Sequence, residues 1–484
     1  MSALGRIVQP WAHRAGTYAL PNSLLVRMKL GEVPAGIPTL LDVRRKVLRA
    51  AETTGHDALD RVARTFGGAI QVSRLHGAAR ALRLVGQRHR GYAEDEEISG
   101  ISRVLRFDVA PGTHVGSMAV SLMQLGVVES AMPNYLCTVG LDRNPGGHGG
   151  ADLDDVDGWQ PRDMINARTA LAYSNGDPTI IIGFVDSGIN PGHVEFDARL
   201  RQGFDTVQLG AGELAGGMKL LGDNRGADTD PTDRFVGHGT GCAGIIGGEG
   251  VGMPPGVSGA CRLLPIRSLG SALLPGHSAA IGVGALSDLD MGLVMAVQLG
   301  ASVINCSFGT DDEDLEPGAP KPHAEAVAFA AARDCVLVAA SGNSGDRRIY
   351  WPAAYPQVIA VGSVGPDRAI SAFTTRGDHV ALCAPGERVL TAALDGYQRA
   401  TGTSFAAPFV SGVAGLLVAR ARARAAGLDP ATLKSILMAS AAPHRSGVAA
   451  GCGTGVLDAA RALEMLDQAL DADESTDSGG ADDG

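Results

Sequence analysis

The chain has 484 residues, 45% of them hydrophobic but only 4% aromatic, with 67 glycines and a formal net charge of −11. An aliphatic interior of this kind suits parallel strands buried on both faces. The charge is divided into a basic front piece of about 145 residues and a strongly acidic remainder, and no basic cluster is dense enough to suggest nucleic acid.

No stretch has the length of a signal peptide or a membrane span. The seven cysteines are scattered, without a CxxC pair, and read as reduced thiols. The expectation is therefore a cytoplasmic protein that engages no membrane and no nucleic acid, the alternative being secretion by an unrecognised route.

In chain order, residues 1–21 form an N-terminal extension. Residues 22–140 show a strand at 24–28, a helix over 56–66, a strand at 104–109, a helix over 115–125 and a final strand at 127–131. Two helices on a small antiparallel sheet is the natural α+β arrangement for such a domain. Residues 141–158 are rich in Gly and Asp and read as a linker. The aspartates from Asp152 to Asp157 lack the alternation and distal glutamate of an EF-hand loop, so they are taken as solvated rather than as a calcium site. From 159 to 466 buried strands (180–185, 263–266, 303–307, 336–339, 358–361) alternate with helices (from 287, 324–333, 404–426, 430–441). That rhythm predicts an α/β fold, a mostly parallel sheet flanked by helices, with chemistry at the carboxyl ends of the strands. The acidic tail 467–484 is expected to be disordered.

Three islands carry the chemistry: Asp186-Ser187-Gly188, His238-Gly239-Thr240 and Gly402-Thr403-Ser404-Phe405-Ala406-Ala407-Pro408. A hydroxyl is a weak nucleophile until a base takes its proton, and the base needs a third group to fix its tautomer. Asp186 ends a buried strand, where a carboxylate needs a donor such as an imidazole N–H. His238 opens a helix of small residues. Ser404 stands where the unpaired amides of a helix N-terminus can receive an oxyanion, and Asn343, in a glycine-flanked turn after a strand, can supply a second donor.

In this order and spacing the motifs resemble those of the subtilisin-like serine proteases, the subtilases, over roughly residues 159–466. The resemblance implies that Ser404 attacks the scissile carbonyl, His238 relays the proton, Asp186 orients His238, and Asn343 with the Ser404 amide stabilises the oxyanion. Phe405 departs from the methionine usual after the nucleophile. Cys242 beside the imidazole, as in the proteinase K branch, reads as a packed core thiol.

Family logic places an extended peptide against Gly282-Val283-Gly284-Ala285 and Ser307-Phe308-Gly309. Ser307 to Gly309 and Ala340-Ser341-Gly342 would wall the pocket before the cut. Tyr350 stands where a glycine is frequent, so that pocket is expected to be shallow. The acidic loop Asp311 to Asp314 reads as solvated. No cofactor is required, and the calcium common in the family has no matching loop.

The front domain resembles the subtilase propeptide, implying an intramolecular inhibitor cleaved off between about 136 and 157. The expected function is a serine endopeptidase made as a zymogen and acting on polypeptides. The alternatives are a peptide ligase or macrocyclase on the same scaffold, or a permanently self-blocked binding protein.

Overall fold

In the computed structural model, the described residues are 19–79, 91–110, 112–139, 158–210, 212–214, 217–315, 318–445 and 450–479. Most of the expected extension, 1–18, and all of the linker but Gly158 lie outside them. So does the stretch in which cleavage was expected, beyond its first four residues.

The front domain builds its sheet from β1 (Ala19–Met28), β2 (Ile70–Arg74), β3 (Val104–Val109) and β4 (Val128–Val139). The helices Asp57–Gly67 and Val115–Met123 pack on it. Leu24, Val26, Leu105 and Phe107 meet Leu59, Val115 and Leu122 in one buried cluster, the period-2 and period-3.6 apolar faces the sequence carries.

β4 is longer than expected, running on through Pro133-Asn134-Tyr135. It follows β1 as far as Tyr135 and then pairs with a second partner from Leu136 onward. Its register with β1 shifts between Pro133 and Tyr135. A residue without an N–H is tolerated at such an irregularity.

The seven-stranded sheet of the remainder combines β5 (Ile181–Asp186), β6 (Phe204–Asp205), β9 (Arg262–Arg267), β12 (Val303–Cys306), β14 (Val336–Ala340), β16 (Val358–Val364) and β17 (Val380–Pro385). Their order is β17-β16-β14-β12-β5-β9-β6, parallel throughout. Helices His238–Gly247, Thr403–Ala423 and Pro430–Ser440 bury one face, and Leu286–Gln298 with Ala324–Ala332 the other. Contrary to the reading that no stretch reaches the length of a membrane span, Thr403–Ala423 would pass for one by length and composition alone, but 83% of its apolar window is buried in the protein. It is a core helix.

A second, antiparallel ribbon consists of β7 (Glu213–Leu214), β8 (Met218–Leu221), β10 (Gly270–Leu273) and β11 (Ala280–Ala285). β4 docks on β11 with Leu136 opposite Ala285 and Val139 opposite Gly282. Front sheet and ribbon thereby become one eight-stranded sheet, β2-β3-β1-β4-β11-β10-β8-β7.

The tail departs from expectation: residues 459–479 are helical. Asp467 is buried, bonding Arg420 at 2.8 Å, while Leu463 and Leu466 join the core. The acidic composition concealed an i, i+3, i+7 apolar spacing (Leu463, Leu466, Leu470) and basic partners over 40 residues away in the chain.

Candidate active site

β5 delivers Asp186 to its carboxyl end, fully buried. The carboxylate Oδ1 accepts from the Ser187 amide at 2.7 Å and faces His238 Nδ1 at 2.7 Å. An ionised carboxylate only accepts, so the proton sits on Nδ1 and Nε2 is left as the basic nitrogen. Burial alone would lower the imidazole pKa, but the Asp186 charge outweighs it and holds His238 well above its usual range.

Gly239 is required here. A Cβ at this position would lie 2.1 Å from the Gly188 carbonyl oxygen, so only glycine lets the His238 helix approach the Asp186 strand.

Asp233 sets the entry to that helix, a role the sequence did not reveal. Its carboxylate accepts the amides of Phe235, Val236 and Gly237 and the Ser187 hydroxyl. The signal was an aspartate two residues before an amide that needs a partner, an Asx-turn pattern, hidden in an acidic loop.

Ser404 is the second residue of Thr403–Ala423. Its hydroxyl donates to the Ser307 carbonyl at 3.3 Å, and Ser307 Oγ donates back to the Ser404 carbonyl at 2.7 Å. Cys242 ties serine to histidine: its Sγ donates to the Ser404 carbonyl at 3.3 Å and lies 4.0 Å from His238 Nδ1. The thiol is fully buried and pushed up by that burial, as a packed core cysteine should be. The Phe405 ring packs against the imidazole, centroids 5.2 Å apart. Asn343 Oδ1 accepts both the amide (2.9 Å) and the hydroxyl (2.8 Å) of Thr403, so its side-chain NH2 is turned away from that contact.

Of the expected substrate segments, Gly282 to Ala285 do pair with an extended strand, and that strand is β4 of the front domain. Gly309 also touches β4, its carbonyl accepting from Cys137 Sγ at 3.2 Å. Phe308, Ala340 and Ser341 are buried, Ser341 Oγ bonding the Thr375 carbonyl. The Tyr350 side chain lies between Gly309 and Gly342. A Cβ on Gly309 would meet it at 3.1 Å, and one on Gly342 (φ +110°) at 2.5 Å. Burial pushes its phenol up to about 12.

Asp186, His238 and Cys242 bring ligand atoms within 4.8 Å of one another, but Oδ1 and Nδ1 are spent on each other. Glu195, another buried carboxylate, faces the amides of Gly250, Val251 and Gly252 and the Tyr397 hydroxyl. Three of these donors fall on Oε1 and one on Oε2, so the carboxylate serves to hold the 250–252 turn.

All seven cysteines carry free, buried thiols. The helix expected from Ser287 begins at Leu286. Its Ser287 amide is capped at 3.0 Å by Asn134 Oδ1, a residue of the front domain.

Comparison with known proteins places the chain in a family. A model described as the subtilase family matches residues 177–455. A thermophilic serine proteinase from Bacillus sp. (strain AK1) is 31% identical over 325 residues, 66% of this chain and 70% of that protein. The major intracellular serine protease of Bacillus subtilis is 34% identical over 42% of this chain and 62% of its own length. Among solved structures, proteases from Pseudoalteromonas arctica share the fold with a TM-score of 0.53 at 24% identity, covering 64% of this chain and 96% of theirs. The chain belongs to the subtilase family and is a subtilisin-like serine hydrolase.

Proposed function

We propose that the chain is a serine endopeptidase whose Ser404 Oγ attacks the carbonyl carbon of an extended polypeptide. His238 Nε2 takes the hydroxyl proton and passes it to the leaving amine nitrogen, and water then cleaves the acyl-enzyme by the same relay. Asp186 holds the imidazole and balances its positive charge. The Ser404 amide and the Asn343 NH2 face the oxyanion. The observation that carries this reading is the buried Asp186–His238 pair at 2.7 Å, sharing the Cys242 thiol with the first turn of the Ser404 helix.

In the same reading the front domain is the inhibitor. β4 occupies the Gly282–Ala285 edge as a substrate would, by main-chain pairing. It passes Gly309 at Cys137 and, at about 3.3 Å per residue, draws level with Ser307 two residues later at Val139. Ser307 touches Ser404, so a peptide held in this register offers Ser404 the carbonyl of the residue following the Val139 position. The basic front and acidic body meet as the charges suggest, Arg44 bonding Asp288 at 3.0 Å and Arg27 bonding Glu325 at 3.0 Å, while Arg333 of the body pairs the other way with Asp95 of the front domain.

Tyr350 fills the slot between Gly309 and Gly342, which restricts the residue before the cut to glycine or alanine. The name of the Bacillus subtilis relative and the free thiols favour an intracellular enzyme.

The test compares wild type with Ser404→Ala. Wild type shortens itself and digests an unfolded protein, whereas Ser404→Ala stays full length and inert. A wild type that does neither refutes the proposal, and a ligated or cyclised product would assign the scaffold to transfer rather than hydrolysis.

A further inference from the structure

The strand that occupies the cleft is read on two faces. Cys137 and Val139 point into the body of the enzyme, where they join Leu289 and Phe308 in one buried cluster. Leu136 belongs to the opposite face and would be solvated if β11 were a bare edge. It is instead 9% exposed, in a separate apolar cluster with Val207, Leu209, Leu220, Ile281 and Val283. Apart from Leu20, every other member of that cluster comes from the ribbon or the loop leading to it. The ribbon segments β7 and β8 and the loop with Val207 and Leu209 all lie between β6 and His238, and nothing in the relay described above uses them. Val207 and Leu209 stand over Gly270, the partner of Val283, and so form a wall beside the outward-facing residues of whatever strand pairs with β11.

We infer that this wall is an additional substrate subsite, taking an apolar side chain at the fifth residue before the cut. The count rests on the endopeptidase reading and its register: the residue after the Val139 position is the first, and the Leu136 position the fifth. Leu136 is the occupant in the inhibited form. Once the front domain leaves, a substrate strand pairing with Gly282 to Ala285 presents its own fifth residue to Ala285 and Val283, beside the Val207 and Leu209 side chains that stand over Gly270. An aliphatic side chain there removes the same apolar surface from water that Leu136 removes now. A peptide that stops four residues before the cut forgoes the contact entirely.

The test uses enzyme matured from the full chain and peptides identical except for Leu, Ser or Asp at the fifth position. Burial of a leucine side chain predicts kcat/KM roughly ten- to a hundredfold higher for Leu than for Ser or Asp, carried mainly by KM. Val207→Ser, in the loop after β6 and away from the triad, collapses the Leu-to-Ser ratio towards one. If that variant fails to fold, the wild-type series decides alone. Equal rates across the three peptides overturn the subsite and leave the endopeptidase reading standing. No hydrolysis of any peptide, indistinguishable from Ser404→Ala, removes both.

Discussion

Arg44→Ala alters only the front domain, so the released enzyme is unchanged and any effect reports on docking. Arg44 is 4% exposed and Asp288 fully buried. The guanidinium bonds Asp288 Oδ1 at 3.0 Å and the Thr206 carbonyl at 2.7 Å. Truncation leaves the Asp288 carboxylate in the interface, and breaking a buried pair in this way costs about 3–5 kcal/mol. The carboxylate keeps the Gln208 amide at 2.6 Å and Arg106 at 4.0 Å, which argues for the lower end, about 3 kcal/mol, or roughly a hundredfold weaker docking. In the full-length wild-type background the measurement is the lag before peptidase activity appears, which should shorten markedly. In a Ser404→Ala background, which cannot process itself, it is the denaturant midpoint at which the front domain unfolds, which should fall. An unchanged lag together with an unchanged midpoint would mean the network contributes nothing and would refute the reasoning.

Two further outcomes follow from the site. Because Asp186 holds the His238 pKa above 6.5, the neutral imidazole needed as base is formed only on the alkaline side. The pH–kcat/KM profile should therefore rise through a value above 6.5, and Asp186→Asn should move that limb down while lowering kcat by about 10⁴, the loss known for triads of this type. The stabilisation from the ion pair runs the other way, complete below 6.5 and lost as pH rises through the folded-state value; an acid-shifted activity limb would contradict the assignment. Tyr350→Gly should open the slot, raising kcat/KM for peptides with phenylalanine before the cut by roughly 10–10²-fold. A wild type that already cuts after phenylalanine as readily as after glycine would show that Tyr350 does not limit the pocket.

The parallel sheet and the three islands were legible because their signals are local. An apolar run ending in Asp186, or a serine before small residues and Pro408, is written in ten consecutive positions. What escaped was long-range. Asp233 reads as one more acid of a loop until its carboxylate is seen holding the amides before His238. Asn134 lies beyond the expected end of its strand at 131, yet it is fully buried and caps a helix 153 residues away. Composition misled at the tail, where the partners that make an acidic helix stable are Arg420 and Arg424 on another helix. The ribbon was missed for a similar reason. β7 has two residues and β8 four, too short for an alternation to register, and their pairing with β10 and β11 exists only in the fold.

These long-range contacts also divide the front domain's hold on the enzyme into two parts with different consequences. The pairing of 136–139 with β11 and the seating of Leu136 use main chain and apolar side chains, which any extended polypeptide can supply. The Arg44–Asp288 and Arg27–Glu325 pairs and the Asn134 cap involve Asp288, Glu325 and Ser287, on helices beyond the strand-pairing edge. An inhibitor held only by the first set would compete with each substrate on equal terms once its connecting chain was cut. The second set makes it a better ligand than a product, and it can be weakened without touching the cleft. Changes such as Arg44→Ala should therefore alter how soon activity appears, whereas changes along the ribbon and at Tyr350 should alter what is cut. On the proposed reading of the front domain as inhibitor, the free energy that keeps the enzyme silent and the free energy that selects its substrate reside in different residues.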